Sequence, residues 1–222
     1  MSYRLIAPLV AVLAIAACSD SEDAEIETTD TSELTTPSEV ADSEQGSAAQ
    51  ANALTCTDPV RAEDTADSLR ERFGSDARVV TLAGAEGMGI PGVVLWEGDP
   101  TRALEVGFTE ESRDQVAFVR AREASRWSVA GLQVGDQIDR VVEANGVPIG
   151  FYGFGWDYGG TVYDFYEGSL GRFGECGVMI TLELDETITD PPLQLMGDHT
   201  LSSDTPQLPL GGVQVSEIGL AF

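Results

Sequence analysis

The densest chemistry in this 222-residue chain lies in Phe151-Tyr-Gly-Phe-Gly-Trp-Asp-Tyr-Gly-Gly160, where five aromatics, four glycines and one Asp occupy ten positions. Tyr and Trp rings offer flat apolar faces with polar edges, which suit a sugar or the hot spot of a partner protein. Extended backbone would place Tyr152, Phe154, Trp156 and Tyr158 on one face, with Phe151 and Asp157 on the other. Two uses of the segment follow. Phe151, Phe154 and Trp156 could fill a core, with the glycines permitting a bulge or tight turn. Alternatively Tyr152, Trp156 and Tyr158 stand outward beside Asp157. The second use makes Tyr152, Trp156, Asp157 and Tyr158 the candidate binding residues, and the segment the main recognition surface.

Asp157, Asp164 and Glu167 invite comparison with an acid/base set or a calcium site. Their spacing lacks the alternating oxygen ligands and the twelfth-position Glu of an EF-hand loop. Ser169 in Gly168-Ser-Leu-Gly171 lacks the Gly-x-Ser-x-Gly elbow of hydrolases. The single His, His199, sits in a polar stretch and reads as solvated. One His and three Cys fall short of the usual zinc and haem ligand sets, so no cofactor and no catalytic residue is expected.

The chain carries 38 acids against 12 basic residues, all Arg, for a net charge of −26. Such a chain repels nucleic acid and anionic surfaces at long range, which excludes nucleic acid as a partner. The charge is unevenly placed. Residues 19–54 hold ten acids, eleven Ser or Thr, and neither a basic residue nor an aromatic. That composition cannot bury enough apolar surface to offset chain entropy and predicts a disordered spacer. Residues 55–222 hold eleven Arg against 28 acids, a net −17.

At the start, Arg4 precedes thirteen apolar residues, Leu5 to Ala17. The run is shorter than the ~20 residues of a spanning helix and has the length of a secretory h-region. It ends Ile15-Ala16-Ala17-Cys18, which resembles the lipobox of bacterial lipoproteins. The resemblance implies a signal peptide over 1–17 and a lipidated Cys18 as mature N-terminus. It further implies a lipid bilayer as a partner through the acylated Cys18, and with the acidic composition that follows, 18–54 reads as the lipidated Cys and a disordered tether. Ser19 after the Cys favours the outer membrane in that family, with the domain facing the periplasm. Cys56 and Cys176 then remain, and outside the cytoplasm two leftover Cys favour a disulfide over two separate buried thiols.

The elements that must position these residues read as follows. Asp58-Pro59 predicts a helix N-terminus, followed by Ala62, Ala66, Leu69 and Phe73 at helical spacing and a stop at Gly74. Strands are expected at 79–82, 93–96, 103–108 and 116–121, with Gly98-Asp99-Pro100 as a hairpin turn. A second helix over 136–144, ended by Asn145-Gly146, precedes strands at 149–154, 161–165 and 178–184. Residues 190–212 read as a long loop and 213–218 as a last strand. Setting Gly74 on Gly146 aligns Ala66 with Ile138 and Leu69 with Val141, which suggests two similar halves, about 55–130 and 131–222. The expected fold is α+β, two tandem helix-then-antiparallel-strands units in one compact domain. This order resembles the tandem helix–sheet repeats of the β-lactamase-inhibitor-protein and outer-membrane assembly lipoprotein families. Gly-Leu-x-Val-Gly at 131–135, Asn145-Gly146 and the 153–160 segment together resemble a family of bacterial envelope proteins without an assigned activity. The expected function is a lipid-anchored envelope protein with a non-enzymatic binding or assembly domain, its partner an envelope protein or glycan. The alternative is an envelope glycan hydrolase using Asp157 or Glu167.

Overall fold

A computed structural model describes residues 52–209 and 211–222. The lipobox, Cys18 and most of the acidic tether lie outside the described residues. Within them the chain forms eleven strands and two α-helices. The helices are α1 (Ala66–Phe73) and α2 (Ile138–Asn145). The first four strands are β1 (Ala77–Ala83), β2 (Gly89–Leu95), β3 (Leu104–Phe108) and β4 (Val116–Arg122). Short strands β5 (Ser128–Val129) and β6 (Leu132–Gln133) pair with each other before α2. Then come β7 (Gly150–Tyr152), β8 (Val162–Asp164), β9 (Gly177–Leu184), β10 (Thr200–Ser202) and β11 (Val213–Ala221). No helix among the described residues is long and apolar enough to cross a membrane.

The α+β expectation is overturned: this is a β-sheet domain. Its main sheet has six strands in the order β1-β2-β3-β4-β11-β9, all antiparallel, and a small sheet has the order β10-β7-β8. The two tandem units do not form either. β9 and β11 add to the sheet begun by β1–β4, and β11 lies between β4 and β9. The tandem helix–sheet architecture therefore falls with the fold class. What survives of the internal similarity is local: α1 and α2 are both eight residues long and each ends at a glycine with positive φ, Gly74 and Gly146.

The first helix starts later than Asp58-Pro59 suggests. Asp58-Pro59 lies in a turn, and Thr65 caps α1 by accepting from the Ser68 N–H at 3.0 Å. Ser68 Oγ returns the bond to the Thr65 N–H at 2.9 Å, so two orphan donors of the first turn are satisfied. α1 cannot extend upstream past this box. Both helices are too short to hold themselves together in water, and their buried faces do the work. Leu69 of α1 and Ile138 and Val141 of α2 enter one core with Val93, Leu95, Leu104, Val106 and Val119. On β11 the core positions are Val213 and Val215, then Ile218 and Leu220. The parity changes at a bulge between Val215 and Glu217, which turns Glu217 to the opposite face of the sheet.

Asn145 at the end of α2 is almost wholly buried. Its Nδ2 donates to the Val147 and Phe165 carbonyls, both at 3.0 Å, and its Oδ1 accepts from the Leu170 N–H at 3.2 Å. The side chain thus pins the segment after β8 to the helix.

Candidate binding surface

β7 carries the aromatic segment only to Tyr152. Beyond it the extended alternation expected for 151–158 fails, because Gly153 and Gly155 let the chain fold back as a loop. Phe151 and Phe154 turn inward together, with ring centroids 5.7 Å apart, and both belong to the core. Tyr152, Trp156 and Tyr158 stay on the outer side. The segment therefore divides between both uses: two phenylalanines are core, and the three rings with polar edges face outward.

These rings form a continuous row with one residue from β8. Tyr163 lies 5.0 Å from Tyr152, Tyr152 lies 5.8 Å from Trp156, and Trp156 lies 5.3 Å from Tyr158. Tyr158 and Tyr163 are 39% and 43% exposed, so the row is open to solvent at both ends. Trp156 Nε1 donates to the Gly153 carbonyl at 2.8 Å, which fixes the indole.

The row stands on a tied-down backbone. Phe154 N–H donates to the Leu195 carbonyl at 2.7 Å, Gly197 N–H to the Phe154 carbonyl at 2.8 Å, and Gly153 N–H to the His199 carbonyl at 2.8 Å. The expected loop over 190–212 is thus a structural support, and it contains β10, paired with β7. On the other side Gly160 packs directly on β9. Its φ is +75°, and a Cβ there would meet the Leu182 carbonyl oxygen at 1.8 Å, so only glycine fits. The Leu182 N–H donates to the Gly160 carbonyl at 2.9 Å.

Asp157 sits in this row as an exposed carboxylate. Its Oδ2 accepts the Glu86 N–H at 2.9 Å, which joins the aromatic loop to the turn between β1 and β2. Glu86 has φ +56° and is exposed, so its own carboxylate lies free beside the junction. Below the junction lies a depression of about 590 Å³, lined by Met88, Phe118, Arg120, Tyr158, Thr181 and Glu217 among others. Of the two carboxylates considered for hydrolysis, Asp157 lines this depression and Glu167 does not. Glu167 lines a different hollow with Val147, Pro148, Tyr166, Ser202 and Asp204. Asp164 Oδ1 accepts the Tyr166 N–H at 2.5 Å. Ser169 begins a short 3₁₀ turn, and His199 Nε2 bonds the Gln194 carbonyl at 2.7 Å. Among the described residues no three His, Cys, Asp or Glu side chains converge as a metal ion would require.

One group of charges was not singled out in the sequence. Glu105 on β3, Arg120 and Arg122 on β4 and Glu217 on β11 meet on the outer face of the main sheet. Arg120 Nε lies 2.6 Å from Glu105, and its Nη1 lies 3.3 Å from Glu217. Arg122 reaches Glu217 at 3.3 Å and Glu105 at 3.8 Å. Glu105 is the direct cross-strand neighbour of Arg120, and Glu217 that of Arg122. Arg120 also stacks on Phe118 at 4.9 Å and donates to the Ala83 carbonyl at 3.2 Å, which draws the end of β1 over β4. Burial pushes the Glu217 carboxyl above its ordinary range, against the opposing pull of Arg120 and Arg122. The available signal was period two in Phe118-x-Arg120-x-Arg122, which puts two arginines on one side of a strand whose other side is apolar.

Cys56 and Cys176 form a disulfide, with Cα atoms 5.6 Å apart and a separation of 120 in sequence. It closes the entry of the domain, where Leu54 N–H donates to the Ser128 carbonyl at 2.8 Å and Ser128 N–H to the Asn52 carbonyl at 2.9 Å. Fold and site together define a disulfide-bonded β-sheet domain that presents an aromatic row beside a carboxylate. No protein-family model, curated protein or solved structure matches this chain.

Proposed function

We propose that this chain is a lipid-anchored bacterial envelope protein whose β-sheet domain is a non-enzymatic binding or assembly module. In this reading Cys18 is acylated, the outer membrane holds the anchor, and the domain faces the periplasm. The partner, an envelope protein or glycan, is held at Tyr152, Trp156, Asp157 and Tyr158. The observation that carries the binding reading is the unbroken aromatic row, partly exposed yet hydrogen-bonded to its backing at Gly153, Phe154 and Gly160. A rigid, part-exposed aromatic surface loses little side-chain entropy when a partner covers it. The lipobox resemblance supports the anchor. Asp157 and Glu167 line separate hollows and so do not make a carboxylate pair for glycan hydrolysis.

Capture from envelope extracts tests both parts. Trp156→Ala and Tyr158→Ala should each abolish recovery of the partner while shifting the melting temperature by only a few degrees. Retained capture would remove the row from the function, and unfolding of both variants would make it core. Cys18→Ser should release the protein into the soluble envelope fraction. A mature wild-type N-terminus found unmodified by mass spectrometry would end the anchor.

A further inference from the structure

We propose that the aromatic row takes a cation, an Arg or Lys side chain from a basic segment of a partner protein, in preference to a neutral glycan. The inference rests on the reading of the row as the recognition surface and names the chemistry recognised there.

Ring orientation is the first argument. A glycan platform needs rings lying side by side in nearly one plane, so that sugar faces can rest along them. Here Tyr152 stands at 79° to Trp156 and Tyr158 at 62° to it, while Tyr152 and Tyr163 lie at 35°. Around Trp156 the rings therefore meet edge to face and make no flat shelf. A ring face left open between crossed rings suits a compact ammonium or guanidinium better than the broad face of a sugar.

Charge is the second. Asp157 lies between two of the rings in sequence, and the Glu86 carboxylate is exposed beside it. Asp157 spends one oxygen on the Glu86 N–H and keeps lone pairs for a charged donor. The domain around them carries eleven Arg against 28 acids, so a basic segment is drawn in from a distance.

The third argument is vacancy among the protein's own cations. The described residues contain three stacked arginines, Arg72 on Phe73, Arg102 on Trp96 and Arg120 on Phe118, at 4.7 to 5.0 Å. Each lies outside the row. Among the described residues the chain stacks arginines on these three rings and none on the row.

Binding of an acetylated hexa-arginine peptide to the full-length chain in detergent tests this, with chitohexaose as the neutral glycan. Hexa-arginine should bind, and Tyr158→Ala and Asp157→Asn should each weaken it about tenfold, the scale of one lost cation–π contact or charged hydrogen bond. Asn at 157 can still accept the Glu86 N–H, so that variant tests charge with the loop held. Glu71→Gln, exposed on α1, should leave affinity unchanged. Equal binding by wild type and both row variants would mean diffuse attraction to net charge and would overturn the proposal. Absence of hexa-arginine binding, or chitohexaose bound in its place and lost in the row variants, would overturn it as well. If the row variants still lose the envelope partner in these cases, the recognition surface stands and the cation alone falls. If capture too is unaffected, both fall.

Discussion

Replacing Cys56 and Cys176 together by Ala lowers the free energy of unfolding by up to about 5 kcal/mol, the chain-entropy value for a loop of this length. The bond joins residues 120 apart, so the unfolded chain without it gains the freedom of almost the whole domain. Small domains are stable by only ~5–15 kcal/mol, which makes this loss a large part of the total. Urea unfolding of the oxidised wild type and the double variant measures it. The expected signature is a lower midpoint and a steeper denaturant dependence, because the freed chain exposes more surface. A change below ~1 kcal/mol would show that contacts around Leu54 and Ser128 hold the entry without the bond.

Arg120→Met gives the second large effect, a loss of about 3–5 kcal/mol at neutral pH, typical of a buried pair deprived of one partner. Arg120 is the only one of the four charges bonded to both acids at close range while itself nearly buried. Removing it leaves Glu217 with Arg122 alone, and Arg122 is half exposed. Arg122→Met should cost far less, within the ~1 kcal/mol of a solvated pair. The pH dependence separates this loss from lost packing. Glu217 has its carboxyl raised by burial, with Arg120 and Arg122 of β4 and Glu105 of β3 facing it. A carboxyl whose folded pKa lies above its unfolded value opposes folding while ionised, and that penalty fades as pH falls through the folded pKa. The Arg120→Met deficit should therefore shrink as pH drops from neutral into the carboxylate range. A deficit that stays constant with pH would assign it to packing on Phe118.

The strands were legible in the sequence as short apolar, β-branched runs set off by turn signals. The expected runs at 79–82, 93–96, 103–108, 116–121, 178–184 and 213–218 all fall within or overlap β1–β4, β9 and β11. Their order in the sheet was not legible. The neighbours of β11 come from residues 116–122 and 177–184, and nothing local to Val213–Ala221 encodes that choice. Both expected helices form, but α1 starts at Ala66, because Asp58-Pro59 matches a turn as well as a helix start. Thr65 with Ser68 caps as Thr-x-x-Ser, a weaker signal than Thr-x-x-Glu. At the aromatic segment the residue types were legible but their directions were not. Two glycines, Gly153 and Gly155, end the period on which the alternation depends, and Phe154 crosses to the core. For the Glu105–Arg120–Glu217–Arg122 group the period two of Arg120 and Arg122 marked the outer face of a strand, but their acidic partners needed three strands in register and a bulge.

In mechanical terms the disulfide sets the path of tension through the domain. Take a pull between the chain ahead of Asn52 and the C-terminus. It can peel only the few residues up to Cys56, then crosses to Cys176 and enters β9 directly. Everything between the two cysteines, the aromatic row included, is off the path. The tension next meets β11, whose Ala221 pairs with Gly177 at the same end of the ladder where both pulls arrive. The bonds between β9 and β11 are thus loaded one after another, like a zip opened from its end, and yield at low force. The covalent loop that shelters the row leaves the last strand as the part that gives way first.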